Sequence, residues 1–166
     1  MNGAKRVLLL GGIALVLVGM SYGLWYAVYA EHQALDGIGQ SLSAGFVAAA
    51  ERNPALSKSS LQHYRQAKYD YDRQVDVHGH WIGLAMLLII LAVAYDRVEF
   101  SEKSKLLLAW GLLAGALLFP LGVLLETASH GPLPKAIAVL GSALVIGALA
   151  AITLGFARGR ETPEAR

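Results

Sequence analysis

Four long stretches of the sequence contain no Asp, Glu, Lys or Arg, and they limit the folds open to this chain more than any other feature. They cover residues 7–30, 77–95, 106–125 and 136–157. Each is close to the roughly 20 residues with which a helix crosses about 30 Å of hydrocarbon. The second contains His78 and His80, which must be neutral there. We therefore predict an all-α integral membrane protein, a bundle of four transmembrane helices.

Composition narrows the class of protein further. The chain has 166 residues, of which 55% are apolar and 16% charged, a balance outside that of soluble domains. We predict one membrane domain, residues 1–166, in a lipid bilayer. A net charge of +2 argues against nucleic acid as a partner. Because the sequence has no cysteine, it cannot hold a disulfide, an iron–sulfur cluster or a covalently attached c-type haem.

The first apolar stretch has two interpretations. A basic pair, Lys5 and Arg6, precedes it, and residues 28–30 resemble a signal-peptidase cleavage site, as in a signal peptide. Its length, and the aromatic residues Trp25 and Tyr26 at its far end, favour a retained span with an interfacial aromatic belt. We expect the retained span.

The distribution of Lys and Arg predicts the orientation, because basic residues concentrate in short cytoplasmic segments. On one side of the predicted bundle they occupy only short segments: Lys5, Arg6, Arg97, Lys103, Lys105, Arg158, Arg160 and Arg166. On the other side they fall mostly in one long loop: Arg52, Lys58, Arg65, Lys68, Arg73 and Lys135. We therefore expect both termini, including the tail 158–166, in the cytoplasm, and a location in the cell (inner) membrane.

Small residues recur four apart in every predicted span. The sets are Gly19, Gly23 and Ala27; Gly79 and Gly83; Gly111 and Gly115; and Gly147, Ala151 and Gly155. Such positions let helix backbones approach closely in lipid, so we predict a tight bundle. Pro120 lies inside the third span and should kink it.

The outer segment, residues 31–76, is predicted to form a helical hairpin that extends the first and second spans. Apolar residues recur at spacings of three and four on both arms. Asn53 and Pro54 are expected to end the first arm, and a capping box at Ser59 starts the second. The tip then falls near residue 56.

With the tip at residue 56, His32 faces His80. The third span ends outside with Glu126, and His130 follows one helical turn later on the same face. We therefore predict one polar layer at the outer mouth of the bundle, made of Glu31, His32, Asp76, His78, His80, Glu126 and His130.

Imidazole and carboxylate groups at one depth suit a cofactor. For Zn, Cu, Fe or Mn, the expected ligands are His80, His130, Glu126 and His32. For a b-type haem, the expected ligands are His80, His130, His78 and His32. His78 and His80 lie about 200° apart around a helix, and we favour His80 because the adjacent glycines leave room beside it. The alternative is that these side chains only meet the membrane interface.

Residues 75–83, Val-Asp-Val-His-Gly-His-Trp-Ile-Gly, resemble the His-x-His helix opening of bacterial membrane proteins related to haem-copper oxidase subunit I. With Leu-Phe-Pro-Leu-Gly at 118–122, they also resemble small uncharacterised bacterial four-span membrane proteins. The first resemblance implies haem or copper ligation by His78 and His80. This chain lacks the further helices and histidines of an oxidase subunit, so no reduction of oxygen or nitric oxide is implied.

Two functions compete. The first is binding of a metal ion or b-type haem at the outer face, for electron transfer, sensing or cofactor handling. The second is a non-catalytic structural or regulatory subunit of a membrane complex, which docks through its hairpin on a membrane-protein partner or on a second copy. Catalysis has little support, because the sequence has no nucleophile elbow, phosphate loop or His-Glu-x-x-His motif. A catalytic metal at the polar layer stays open as an alternative, but the sequence selects no substrate for it.

Overall fold

The computed structural model describes residues 2–129 and 131–158. Within these residues the chain forms five α-helices and a short 3₁₀ turn at Tyr95–Arg97. The helices are α1 Gly3–Tyr29, α2 Glu31–Ala50, α3 Pro54–Ala94, α4 Glu102–Ala128 and α5 Pro132–Arg158. All except α2 are long and apolar enough to cross a membrane. The predicted all-α bundle of four membrane helices is therefore confirmed.

The predicted hairpin is present, but it turns earlier than expected. Asn53 is the N-cap of α3, and its side-chain oxygen accepts a hydrogen bond from the Leu56 N–H at 3.1 Å. Pro54 occupies the first turn, where its missing N–H costs nothing. Asn53 and Pro54 therefore start the second arm instead of ending the first, and Ser59 lies inside α3 rather than in a capping box.

The early turn changes which residues face each other across the hairpin. The Tyr71 hydroxyl donates to Glu31 at 3.4 Å, and the Ser57 hydroxyl donates to the Gly45 carbonyl at 3.2 Å. His32 therefore faces the region of residue 70 on α3. Residue 70 is ten positions from His80, or about 15 Å of helix. The predicted pairing of His32 with His80 is wrong, because the tip was placed too late in the chain.

Helix α4 is the centre of the membrane bundle. α1 packs against α3, α4 contacts both of them, and α5 packs on α4. α4 continues through Pro120, which is buried. α4 is therefore the helix that contacts all three of the other membrane helices.

Glycine positions explain how closely the helices approach. A Cβ at Gly19 would lie 3.0–3.3 Å from side-chain atoms of α3, and one at Gly115 would lie 2.7 Å from the Gly141 carbonyl of α5. The prediction of close packing at small residues holds at these positions. It does not hold at Gly79, Gly83, Gly111 and Gly147, where an added Cβ meets no atom within 4 Å.

Candidate functional site

The C-terminal end of α4, next to the hairpin, carries a buried carboxylate with partners on α3. The Glu126 side chain is 12% exposed and accepts a hydrogen bond from the Tyr69 hydroxyl at 3.0 Å. Arg73 Nε lies 3.9 Å from the same carboxylate, and its guanidinium stacks over the Tyr69 ring at 5.0 Å. Burial of a charge is costly unless it is paired. These contacts supply the pairing and fix α3 against α4.

Arg73 also joins this cluster to Asp76, whose carboxylate lies 3.7 Å away. The hydrogen bond to Tyr69, with smaller effects of the Glu126 and Asp76 charges, raises the pKa of Arg73 above its ordinary value. The guanidinium therefore stays cationic between two carboxylates. We call Tyr69, Arg73, Asp76 and Glu126 the outer ion cluster.

A second polar chain connects three helices at the same level. The Tyr22 hydroxyl on α1 donates to the Gln74 side-chain oxygen on α3. The Gln74 amide nitrogen donates in turn to the Thr127 hydroxyl on α4 at 3.4 Å. Hydrogen-bond networks of this kind specify one arrangement of helices, because each broken bond leaves a polar group without a partner.

His80 lies deeper along the face of α3 that carries the outer ion cluster. Positions 69, 73, 76 and 80 follow a spacing of three and four, so they share one helix face. The His80 ring packs against Phe119 of α4, with centroids 4.8 Å apart. The Phe119 backbone also contacts Gly141 of α5. His80 therefore lies on the side of α3 that faces α4, and its side chain remains exposed.

His78 takes the opposite side of α3, as its offset from His80 predicts. Its Nδ1 lies 2.9 Å from the Gly19 carbonyl oxygen of α1. A carbonyl can only accept, so Nδ1 carries the hydrogen, and in the neutral ring Nε2 keeps its lone pair. The ring packs over Gly23, where any added Cβ would collide with it. His78 thus has a structural role in the contact between α1 and α3.

The predicted polar layer is spread out in the described residues. Glu126 is level with Tyr69 and Arg73, whereas His80 is level with Phe119, seven residues and roughly 10 Å further into the bundle. His32 is exposed on α2, and His130 lies outside the described residues. In residues 2–129 and 131–158, no three His, Asp or Glu side chains lie close enough together to hold one metal ion.

Sequence reasoning did not identify Tyr69 and Arg73 as partners of Glu126. The available signal was the spacing of Tyr69, Arg73, Asp76 and His80, which marks one polar stripe on a helix. This stripe is visible in the sequence without knowledge of how the two arms of the hairpin are aligned. Assigning that stripe to Glu126 required the packing of α3 on α4.

The hairpin tip is the second notable surface. Phe46, Val47 and Leu56 are 69%, 54% and 49% exposed, respectively. A shallow groove of about 540 Å³ runs beside them along α2 and is bordered by Gly39, Ser43, Val47 and Leu56. Exposed apolar residues grouped in this way are typical of interaction surfaces. We call this surface the tip face.

Comparison with known proteins adds no relative. No protein-family model, curated protein or solved structure matches the chain. The resemblance of residues 75–83 to oxidase-related proteins therefore stays a prediction. The function has to be inferred from the contacts of the described residues.

Proposed function

We propose that the protein is a non-catalytic structural subunit of a membrane complex that assembles through its helical hairpin. The tip face carries this proposal. Residues 37–50 contain no charged side chain although they lie beyond the apolar spans, and Phe46 is 69% exposed among them. Covering an apolar surface that is exposed to water is favourable, by about 25 cal/mol per Å² of apolar area buried.

The proposed orientation places the hairpin outside the cell (inner) membrane, with both termini in the cytoplasm. The Lys and Arg residues in short segments support this orientation, since such segments are retained on the cytoplasmic side. An outer hairpin is then accessible to other proteins of the same membrane surface.

The occupant proposed for the tip face is the hairpin of a second copy. Two copies inserted in the same direction hold each residue at the same height above the bilayer, so a two-fold contact must join surfaces at equal height. Phe46 meets this requirement, because the groove bordered by Ser43 and Val47 lies beside it on α2. The absence of charge in residues 37–50 avoids like-charge repulsion. Two paired hairpins would form a four-helix arrangement that buries both tip faces.

The test is the mass of the protein in lipid nanodiscs, measured by light scattering after chromatography. We expect a dimer for the wild type and a monomer for the double variant Phe46→Gln with Val47→Gln. Val75→Gln is the matched control, since Val75 is 44% exposed on the hairpin but lies at its base. A wild-type monomer would overturn self-association. Co-purification of another membrane protein, lost only in the double variant, would assign the tip face to that partner instead.

A second function is supported by His80, namely binding of a metal ion or a b-type haem beside α4. The His80 ring contacts Phe119, and Gly83 one turn away leaves space beside it. Glu126 does not fit as a ligand without loss of its Arg73 and Tyr69 contacts, and His32 is too far along the hairpin. We propose His80 as the ligand; His130 lies outside the described residues and stays a prediction from the sequence.

The absorption spectrum and metal content of the purified protein test this second function. A Soret band, or one metal ion per chain, is expected for the wild type and should be lost in His80→Ala and His130→Ala. His63→Ala is the control, because His63 is exposed on the hairpin. A wild-type protein with neither signal, after growth with haem precursor and added metals, would contradict the proposal.

A further inference from the structure

A polar cleft opens where α1 passes into α2. The chain leaves α1 after Tyr29 and enters α2 at Glu31, with Ala30 between them. A cavity of about 280 Å³ lies there, between this junction and α3. Its walls include Ala34, Gly37 and Ala67. A Cβ at Gly37 would meet no atom within 4 Å, so there is open space beside this position of α2.

One buried group of the cleft lacks a hydrogen-bond partner. Tyr26 lines the cavity and is only 7% exposed. Its hydroxyl is buried, and within the described residues it makes no hydrogen bond. Buried hydroxyl groups normally have a partner. The neighbouring Tyr71 hydroxyl donates its hydrogen to Glu31, so it cannot also donate to Tyr26. A bound group is therefore the natural partner for Tyr26.

The charged side chains around the cleft favour a positively charged group. Asp70 lines the cavity and Glu31 lies at its edge, bonded to Tyr71. Asp70 accepts hydrogen bonds from Gln66 at 3.1 Å, which leaves lone pairs of its carboxylate available. No Lys or Arg lines the cavity, and neither carboxylate forms an ion pair with a basic residue of the described chain. The cleft is therefore suited to a cation.

The aromatic rings beside the cleft favour an organic ammonium ion over a metal ion. The Tyr26 and Tyr71 rings lie 6.4 Å apart and are tilted by 45°. Aromatic faces beside a carboxylate attract organic ammonium groups. A primary ammonium also has N–H donors, and the Tyr26 hydroxyl can accept from one of them. A bare metal ion fits less well, because the aromatic walls offer few oxygen ligands.

We propose that this cleft binds a primary ammonium group of about the size of ethanolamine. The carboxylate of Asp70 pairs with the charge, the rings of Tyr26 and Tyr71 cover its methylene groups, and the Tyr26 hydroxyl accepts an N–H. The cleft lies at the outer end of α1, next to Trp25 and Tyr29, which are 51% and 68% exposed. Such aromatic residues mark the level of lipid headgroups. The ammonium can belong to an aminophospholipid headgroup or to a free amine.

The experiment uses the full chain in nanodiscs of phosphatidylglycerol, which has no amine. Thermal unfolding is followed during titration with ethanolamine hydrochloride, and sodium chloride at equal ionic strength is the reference. We expect a saturable rise in Tm. Asp70→Asn should weaken binding at least tenfold, whereas Asp72→Asn should not, because Asp72 is paired with Lys68 and does not line the cleft.

The Tyr26 hydroxyl is tested separately. Tyr26→Phe should weaken ethanolamine binding and leave binding of tetramethylammonium unchanged, because that ion has no N–H to donate. Tyr29→Phe is the control at the same end of α1. Each variant is compared with its own Tm without amine, so a change in folding is separated from a change in binding.

The source of the ammonium is distinguished by native mass spectrometry from mixed nanodiscs. Phosphatidylethanolamine retained by the wild type and lost by Asp70→Asn would assign the site to a lipid headgroup. Ethanolamine binding without lipid retention would assign it to a free amine. The proposal is overturned if neither probe binds saturably, or if Asp72→Asn and Asp70→Asn weaken binding equally.

Discussion

The Tyr69 hydroxyl of α3 donates a hydrogen bond to the Glu126 carboxylate of α4 at 3.0 Å. Arg73, one turn further along α3, lies 3.9 Å from the same carboxylate. Glu126 is nearly buried, and these two groups are its polar partners on α3. The contact between the helical hairpin and the membrane bundle is therefore electrostatic at this point.

The first prediction concerns Arg73. Arg73→Ala leaves a buried carboxylate with one hydrogen bond, and we expect the free energy of unfolding to fall by about 1–2 kcal/mol, less than for a fully buried pair because the arginine is partly exposed. Arg65→Ala, on the exposed surface of the same helix, should change it by less than about 0.5 kcal/mol. Unfolding in mixed detergent measures both. Adding Glu126→Gln to Arg73→Ala should recover stability, and a further loss would contradict the ion pair.

The second prediction compares Gly23, which lies in the contact between α1 and α3, with Gly79, which lies outside it. Gly23→Ala places a methyl group against the His78 ring, so we expect a loss of about 1–3 kcal/mol from overpacking. Gly79→Ala meets no atom and should gain up to about 1 kcal/mol from helix propensity. Thermal unfolding of both variants decides the matter. Equal changes of the same sign would show that α1 and α3 do not meet at His78.

The third prediction compares two glycines of α5. Gly141 lies against the backbone of Phe119, which cannot rotate away as a side chain can. Gly141→Ala should therefore force α4 and α5 apart and cost about 1–3 kcal/mol. Gly147→Ala, where an added Cβ has open space, should be neutral or stabilising. A destabilising Gly147→Ala with a silent Gly141→Ala would reverse the packing assigned to these helices.

Sequence reasoning succeeded where each residue contributes independently. The free energy of moving a segment from water to lipid depends mainly on which residues it contains. Apolar stretches therefore predicted the four membrane helices. The stretch 106–125, for example, lies inside α4, Glu102–Ala128. The ends differ because charged residues such as Lys105 and Glu126 continue the helix beyond the apolar core.

Sequence reasoning failed where the outcome depended on how the two arms of the hairpin are aligned with each other. Asn followed by Pro can end one helix or start the next, and the Asn53 cap shows that it starts α3. This shift moved every facing pair along the hairpin and separated His32 from His80. Glu126 was identified from the cost of burying its charge, but Tyr69 and Arg73 could be assigned to it only after the packing of α3 on α4 was known.

The fourth prediction tests the orientation with single cysteines, which the cysteine-free sequence makes possible. Ser59 near the hairpin tip and Glu99 between α3 and α4 are both exposed, and the apolar part of α3, residues 77–95, separates them. With the termini in the cytoplasm, Ser59→Cys should react with a membrane-impermeant maleimide in intact cells. Glu99→Cys should react only after the membrane is opened.

Each outcome of this labelling has a distinct meaning, because one span lies between the two positions. Reaction of Glu99→Cys alone in intact cells would invert the orientation and place the tip face and the ammonium cleft in the cytoplasm. Equal reaction of both variants would mean that α3 does not cross the membrane between them. The wild type, without cysteine, supplies the background. The expected pattern places Asp70 and Tyr26 where an outer-leaflet headgroup or an external amine can reach them.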